Sequence, residues 1–178
     1  MGLRFEVIVT DTDESRRDRE PAEVYVERLA LNKARAAHRD DAVVVGADTC
    51  VAVDDAILGK PEHADHAFAM LRSLSGRAHS VFTGVALVYG NRVASCVEQT
   101  NVHFNELSDD TINWYISTGE AFDKAGSYGM QGYGGVFVER IDGSPSNVIG
   151  LPLHRVVELA TRIGIDINSF RDHVNSRH

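Results

Sequence analysis

An aspartate that follows an all-valine run is the clearest chemical signal in the chain. Residues 43–45 are three consecutive valines, and such a run predicts a strand covered on both faces, as in a parallel sheet. Asp48 comes three residues later, within Gly46-Ala47-Asp48-Thr49, and open α/β sheets bind their ligands at the carboxyl edge of the strands. By position alone, a turn or helix-capping aspartate explains Asp48 equally well. Other charged residues shift the balance toward a catalytic carboxylate.

Three further charged side chains occupy unusual positions. Lys33 falls on the apolar stripe of a helix predicted to begin at Pro21, where it is either an edge lysine or an ammonium directed into a site. Lys60 precedes a proline, which forces its backbone into an extended conformation. Glu14 closes the acidic turn of residues 10–14 and, taken alone, is a solvated loop acid.

A glycine-rich segment supplies the remaining component of a candidate site. Residues 123–135 hold five of the 15 glycines, which predicts a loop whose backbone comes close to a ligand. Lys124 and Gln131 lie in this loop, and each alone is an ordinary surface side chain. Two carboxylates, several lysines and such a loop together are what hydrolysis of a phosphoanhydride requires. Lysines neutralise phosphate charge, and carboxylates hold a divalent ion or deprotonate a water.

Composition and missing motifs exclude other classes of function. The chain has 18 basic and 26 acidic residues, so its net charge of −8 argues against sequence-independent binding to nucleic acid or to an anionic membrane. No Walker A run and no Gly-x-Gly-x-x-Gly after a strand occurs, and His63 and His66 read as surface residues, not zinc ligands. Two cysteines without metal-ligand spacing, and no apolar stretch long enough for a bilayer, favour a soluble protein of the cytoplasm.

Strands and helices that would position these residues alternate along the sequence. Strands are predicted at residues 5–9, 43–45, 50–53, 56–58, 78–89, 92–105 and 136–141, and helices from Pro21, at 65–73, after Ser108 and at 151–163. This order, with one long hairpin, predicts an α/β fold with a mixed sheet. We expect one domain with two lobes around a cleft over residues 1–168, and a polar C-terminal tail over residues 169–178.

Over nearly its whole length the sequence resembles the Maf-like nucleotide pyrophosphatases. The matching stretches are Leu29-Ala30-Leu31-Asn32-Lys33-Ala34, Gly46-Ala47-Asp48-Thr49, Gly59-Lys60-Pro61, Leu74-Ser75-Gly76, residues 79–84, residues 123–132 and residues 148–153. The resemblance implies a mixed α/β fold like that of inosine-triphosphate pyrophosphatases, with the nucleotide in a cleft between two lobes. It also implies hydrolysis of nucleoside triphosphates to the monophosphate and pyrophosphate with Mg²⁺ or Mn²⁺, a homodimer, and a link to septum formation.

The same resemblance assigns roles to individual residues. Asp48 matches the proton acceptor that activates the attacking water, and it would share metal binding with Glu14. Lys33 and Lys60 match lysines that contact the phosphates. Thr49 and Gln131 match positions that tune base specificity. The glycine-rich loop, with Lys124, Gly129 and Gly132, is expected to approach the phosphates.

Two details of the match concern substrate and activity. The forms around Asp48 and Gln131 resemble the dTTP/UTP branch, with CTP or modified pyrimidine nucleotides as further substrates, because a glutamine offers a pyrimidine edge both a donor and an acceptor. The 7-methyl-GTP branch, which tends to carry an acidic residue in place of Gln131, is a weaker alternative. The family's opening strand, Ser-x-Ser-Pro-Arg-Arg loop and helix, about twenty residues, have no counterpart here. A catalytically weak or inactive nucleotide-binding protein with a regulatory role is therefore the second hypothesis.

Overall fold

Helices cover both faces of a single five-stranded sheet. The computed structural model describes residues 2–54 and 56–170. The strands are β1 (Val44–Val53), β2 (Ala56–Leu58), β3 (Ala78–Tyr89), β4 (Arg92–Phe104) and β5 (Val138–Asp142). The helices are α1 (Ala22–Ala36), α2 (Ala64–Leu74), α3 (Asp109–Ser117), the short α4 (Pro145–Val148) and α5 (Leu153–Arg162). The predicted α/β class is confirmed.

Every described pairing in the sheet is antiparallel, where the sequence predicted a mixed sheet. The strand order is β2-β1-β3-β4-β5. A tight turn joins β3 to β4, and a hairpin of this kind can only produce antiparallel neighbours. Residues 51–53 of β1 pair with β2 and residues 44–52 pair with β3, so Asp48 lies on the part of β1 that extends beyond the short β2.

Alternating side chains of β3 face two different layers. Ala86 and Val88 pack against Ala30 and Ala34 of α1 on one face. Val85 and Leu87 face α5 on the other. The largest cluster lies on that second face, where α2, α3 and the glycine-rich loop cover β1, β3 and β4. Its buried members are Val51, Val53, Ala67, Leu71, Leu74, Val81, Val102, Phe104, Leu107, Ile112, Tyr115, Ala121, Tyr128 and Phe137.

Two glycines allow α1 to lie directly on the sheet. A Cβ atom at Gly46 would collide with the backbone of Ala30 and Ala34, and one at Gly84 would collide with the backbone of Val26. These positions on β1 and β3 therefore exclude any side chain, and the helix axis approaches the strands more closely than packed side chains would permit. The consequence for the site is that Lys33, one turn beyond Leu29 and Ala30, comes within reach of β1.

The N-terminal segment departs from its prediction. Residues 5–9 alternate in sequence but form no strand, and Phe5 and Val9 are 85% and 94% exposed. Alternation alone does not make a strand, because a strand also needs a ladder of backbone hydrogen bonds with a neighbour, and residues 5–9 form none. Residues 6–17 run instead as irregular chain toward α1, and Glu14 lies within them.

The other predicted elements are confirmed to within a few residues. Ser108 caps α3 by accepting a hydrogen bond from the Thr111 N–H at 3.2 Å. The short α4 was not predicted, and β1 is longer than its all-valine run. Of the predicted polar tail, residues 171–178 lie outside the described residues, and Ile167–Phe170 form a 3₁₀ turn. Within the described residues, none of the helices has the length and apolar character needed to cross a bilayer.

Candidate active site

Glu14, Lys33 and Asp48 form one ion cluster. The Lys33 Nζ lies 2.6 Å from the Asp48 Oδ1 and 2.7 Å from a Glu14 carboxylate oxygen. The Asp48 side chain is 12% exposed and the Lys33 side chain 24%, whereas Glu14 is 56% exposed. The cluster therefore has a buried end on β1 and an open end in the N-terminal segment.

Asp48 lies inside β1 and not beyond its end, which corrects the sequence-based placement. β1 continues to Val53 because it stays in register with β3, with Asp48 opposite Gly84. Alternation along β1 places Gly46, Asp48 and Cys50 on the α1 face. Asp48 thus meets Lys33 across the helix–sheet contact, and its side chain remains 12% exposed.

A second set of contacts anchors the segment that carries Glu14. The Tyr25 hydroxyl of α1 donates to the Glu14 carbonyl oxygen at 3.0 Å. One turn on, Arg28 donates to the Ser15 carbonyl oxygen and forms two hydrogen bonds with the Glu20 carboxylate, at 2.6 and 2.7 Å. These contacts fix the path of an otherwise irregular segment against α1, so Glu14 reaches Lys33 without support from a helix or strand.

The pKa values of Asp48 and Lys33 are both raised in the cluster. Burial raises the pKa of Asp48, against the lowering effect of Lys33, and the nearby Glu14 charge raises it further. Burial works to lower the pKa of Lys33, but its hydrogen bonds to Asp48 and Glu14 outweigh that effect, and the pKa is raised. The raised pKa of Lys33 follows from the two carboxylates that share its ammonium, whereas the raised pKa of Asp48 follows mainly from burial. A carboxylate whose pKa is raised accepts a proton more readily, as a general base must.

Two adjoining cavities extend from Asp48 to the glycine-rich loop. The first, about 260 Å³, is lined by Asp48, Thr49, Lys60 and Lys124 among others. The second, about 340 Å³, is lined by Glu120, Lys124, Tyr128, Gly129, Gln131 and Gly132 among others. Lys124, Tyr128, Val148 and Ile149 line both, so the two form one continuous cleft. Their combined size is within the range of small-molecule sites.

Lys60 and Lys124 bring positive charge to the middle of this cleft. The Gly126 N–H donates to the Gly59 carbonyl oxygen at 3.0 Å, which ties the segment before Lys60 to the glycine-rich loop. Lys124 pairs with Asp123 at 2.7 Å and lines both cavities. The charge of Lys60 also acts on Asp48 and lowers its pKa slightly.

Thr49 belongs to a buried hydroxyl network on the opposite face of β1 from Asp48. Its Oγ1 lies 2.9 Å from the Thr83 Oγ1, and the Thr83 hydroxyl donates to the Asn147 carbonyl oxygen at 3.1 Å. Asn147 is fully buried and also donates to the Val81 carbonyl oxygen. The network therefore fixes the Thr49 side chain at the wall of the first cavity.

Sequence reasoning missed two residues that shape the cleft wall. Tyr128 is 5% exposed, and its hydroxyl lies 2.8 Å from the Nε2 of the buried His79. Burial, with a smaller contribution from His103, lowers the pKa of His79 to about 4, so the imidazole is neutral near pH 7. Glu120, before the glycine-rich segment, lines the second cavity. Neither residue stands out by type or spacing, because each becomes informative only through the contacts it makes.

The donor set at the cluster suits a hard divalent cation held jointly with a substrate. In the described part of the chain, no group of three or more His, Cys, Asp or Glu side chains could hold a metal ion by itself. Glu14 and Asp48 supply two carboxylates on either side of one ammonium. Mg²⁺ is commonly held by one or two carboxylates together with substrate phosphates and water, so these two residues fit that mode of binding.

A partly buried carboxylate beside a lysine, at the end of a cleft with two further lysines, defines the class: an α/β protein built to act on an anionic, phosphorylated ligand. The sequence profile described as Maf-like protein matches residues 1–163, and the chain belongs to this family. It is 46% identical over 169 residues to the dTTP/UTP pyrophosphatase of Clostridium novyi (strain NT), an alignment covering 92% of this chain and 88% of that protein.

Two further relatives give the same result. The dTTP/UTP pyrophosphatase of Symbiobacterium thermophilum is 47% identical over 169 residues, covering 94% of this chain and 87% of that protein. The dTTP/UTP pyrophosphatase of Escherichia coli O157:H7 is 47% identical over 162 residues, covering 89% and 82%. The predicted resemblance is confirmed.

Proposed function

We propose that this chain hydrolyses dTTP and UTP to the monophosphate and pyrophosphate. The observation that carries the proposal is Asp48, which lines the cleft, is partly buried, has a raised pKa and is bound by Lys33. The names of relatives that are 46–47% identical over most of the chain support the choice of substrate.

The reaction follows from the chemistry of a carboxylate beside a phosphate-binding cleft. Asp48 accepts a proton from a water as the water oxygen bonds to the α-phosphorus. The bond between the α-phosphorus and the bridging oxygen to the β-phosphorus breaks, and the electron pair leaves with pyrophosphate. The proton on Asp48 then returns to solvent. A raised pKa is suited to this cycle, since it increases the affinity of the carboxylate for the transferred proton.

Lys33 and Lys60 stabilise the negative charge that develops on the leaving pyrophosphate. Lys33 also holds the Asp48 carboxylate by the contact at 2.6 Å, so it orients the base as well. Lys124 adds a third ammonium in the cleft. Gly129 and Gly132, in the loop beside Lys124, allow the backbone to approach the phosphates.

Glu14 and Asp48 would hold a divalent cation, Mg²⁺ or Mn²⁺, together with the substrate phosphates. When bound, such an ion neutralises phosphate charge and orients the triphosphate.

Base selection falls to Thr49 and Gln131, which line the two halves of the cleft. A glutamine side chain offers one donor pair and one acceptor to the edge of thymine or uracil. We further expect the enzyme to act as a homodimer in the cytoplasm, in clearing nucleotides from the pool, with a role in septum formation as a separate expectation from the family.

The test is an assay of product identity across nucleotides. The full chain is incubated with dTTP, UTP, CTP and 7-methyl-GTP in the presence of Mg²⁺ or Mn²⁺, and pyrophosphate and orthophosphate are measured separately. We expect pyrophosphate from dTTP and UTP in amounts equal to the monophosphate. Preference for 7-methyl-GTP would contradict the substrate assignment. Nucleotide binding without release of pyrophosphate would contradict the activity and favour the non-catalytic alternative.

A further inference from the structure

Gln131 lies at the tip of a tight turn in the glycine-rich loop. The Gly132 N–H donates to the Gly129 carbonyl oxygen at 3.3 Å, and the Gly135 N–H donates to the Gly132 carbonyl oxygen at 3.1 Å. The Gln131 residue is exposed and lines the second cavity. A glutamine has three rotatable side-chain bonds, so an exposed one presents its amide in a defined direction only when its backbone is held.

One carboxylate holds the backbone that follows Gln131. The Glu120 Oε2 accepts a hydrogen bond from the Tyr133 N–H at 2.9 Å, and its Oε1 accepts one from the Gly134 N–H at 3.2 Å. Hydrogen bonds of backbone amides to an ionised carboxylate are among the stronger ones in proteins. Burial alone would raise the pKa of Glu120, but these amides and the Tyr115 hydroxyl lower it, so the carboxylate is ionised at neutral pH.

The buried Tyr115 of α3 forms hydrogen bonds to Glu120 and to the backbone before Gln131. Its hydroxyl donates to the Glu120 Oε1 at 3.0 Å and accepts a hydrogen bond from the Gly129 N–H at 3.0 Å. Tyr115 is fully buried and packs edge-on against Phe137 with ring centroids 4.9 Å apart. Burial and ring packing therefore hold the Tyr115 side chain in place, and hydrogen bonds fix the segment between Gly129 and Tyr133 at both ends.

Gly132 shows how tightly the carboxylate fits against the turn. A Cβ atom at this position would coincide with the Glu120 carboxylate oxygens. Gly132 therefore leaves room for Glu120, and the N–H groups of Tyr133 and Gly134 are satisfied within the protein. The carboxylate is therefore bound to the backbone of the loop.

We propose that Glu120, with Tyr115, is a positioning residue that sets the base selectivity of the cleft by fixing the turn that carries Gln131. The inference rests on the proposed function, in which Gln131 meets the edge of the base. Glu120 contacts the loop backbone, and its effect reaches the nucleotide through the direction of the Gln131 amide. Loss of Glu120 then affects discrimination between bases more than it affects the chemistry at Asp48.

The experiment compares Glu120→Gln with the unaltered protein on dTTP and dATP. A glutamine keeps the size of the side chain but places an NH₂ group against one of the two backbone N–H donors. We expect the ratio of kcat/KM for dTTP over dATP to fall by about tenfold or more, the factor that loss of one charge-assisted hydrogen bond produces. The matched control is Glu139→Gln, an exposed glutamate on β5, which should leave the ratio unchanged.

A second variant and a second measurement keep the inference testable in every case. Tyr115→Phe removes only the hydroxyl that reaches Gly129, so the turn is released at one end and the ratio should fall by a smaller factor. Binding of the non-hydrolysable α,β-imido analogues of dTTP and dATP measures the same discrimination without turnover.

Equal loss of activity on both nucleotides, or an unchanged ratio of analogue affinities in both variants, would overturn the inference. Unaltered protein that releases no pyrophosphate contradicts the proposed function instead, and the analogue affinities still decide the role of Glu120. The two failures are therefore distinguishable.

Discussion

Two acid–base clusters lie on the same helix and differ in how completely their charges are satisfied. Arg28 of α1 binds Glu20 through two hydrogen bonds, and the Arg17 N–H adds a third to the same carboxylate. The Arg28 side chain is 14% exposed and the Glu20 side chain 4%. One turn further along α1, Lys33 is shared between two carboxylates that have opposite exposures.

The difference separates a cluster that holds structure from one that can do chemistry. The Glu20–Arg28 pair balances one charge with one charge, and its hydrogen bond to Arg28 lowers the pKa of Glu20 to about 2. The Lys33 cluster has two carboxylates for one ammonium, and burial raises the pKa of Asp48, with a smaller contribution from the Glu14 charge. Similar residue types thus give a closed pair in one place and an open site that can accept a proton or a cation in the other.

The largest effect that separates the two clusters is expected for Asp48→Asn. Asparagine keeps the shape of the side chain but cannot accept the proton of water, so kcat for dTTP should fall by about 10²- to 10⁴-fold. Pyrophosphate release under saturating dTTP measures it. Asp65→Asn, an exposed carboxylate on α2, serves as the matched control and should retain activity. A loss of less than about threefold in Asp48→Asn would remove Asp48 from the role of base.

Glu20→Gln should act on stability where Asp48→Asn acts on rate. Removing one partner of a buried pair leaves Arg28 uncompensated, so the free energy of unfolding should fall by about 3–5 kcal/mol. Chemical denaturation measures the change. The control Glu158→Gln breaks the exposed pair with Arg155 and should cost at most about 1 kcal/mol. Equal costs for the two variants would refute the contrast between closed and exposed pairs.

Lys33→Met should change both the rate and its pH dependence. Without the ammonium, the pKa of Asp48 loses its main lowering influence and rises further. A base acts only when ionised, so activity falls as pH falls through that pKa, and the acidic limb of the kcat/KM profile should move to higher pH. At neutral pH the loss should be about ten- to a hundredfold, the value of a charge-assisted contact. If the acidic limb lies at the same pH in Lys33→Met and in the unaltered protein, Lys33 has no effect on the pKa of Asp48.

The smallest effect is expected for Lys60→Met. Lys60 is exposed and acts on Asp48 only through its charge, so loss of its share in stabilising the leaving pyrophosphate should lower kcat for dTTP by about three- to tenfold with little change in KM. Initial rates over a range of dTTP concentrations measure the two constants. If KM rises and kcat stays constant, Lys60 acts in substrate binding and not on the transition state.

Local sequence patterns predicted most of the fold. The helical periodicity from Pro21 predicted α1 and placed Lys33 on its apolar stripe. In the structure, that stripe is the face of α1 that lies against the sheet. Turn signals at Gly90-Asn91 gave the long hairpin of β3 and β4. These elements depend on contacts that are near in sequence, so the pattern carries the information.

Features that depend on distant contacts were not predicted. Residues 5–9 have the alternation of a strand but no strand partner, and β1 extends past Asp48 because of its register with β3. Glu14 reads as a solvated acid until Tyr25 and Arg28 hold its segment on α1. Glu120 gives no sequence signal of its own, since its importance lies in hydrogen bonds to residues 13 and 14 positions further on.

The most direct test of the account is hydrolysis of dTTP in water labelled with ¹⁸O, with the labelled product identified by mass spectrometry. Attack of an Asp48-activated water on the α-phosphorus predicts one ¹⁸O atom in the monophosphate and none in pyrophosphate. Asp48→Asn should form much smaller amounts of both products. Label in pyrophosphate, or release of orthophosphate in its place, would contradict attack at the α-phosphorus. Undiminished label in the monophosphate from Asp48→Asn would contradict the role of Asp48.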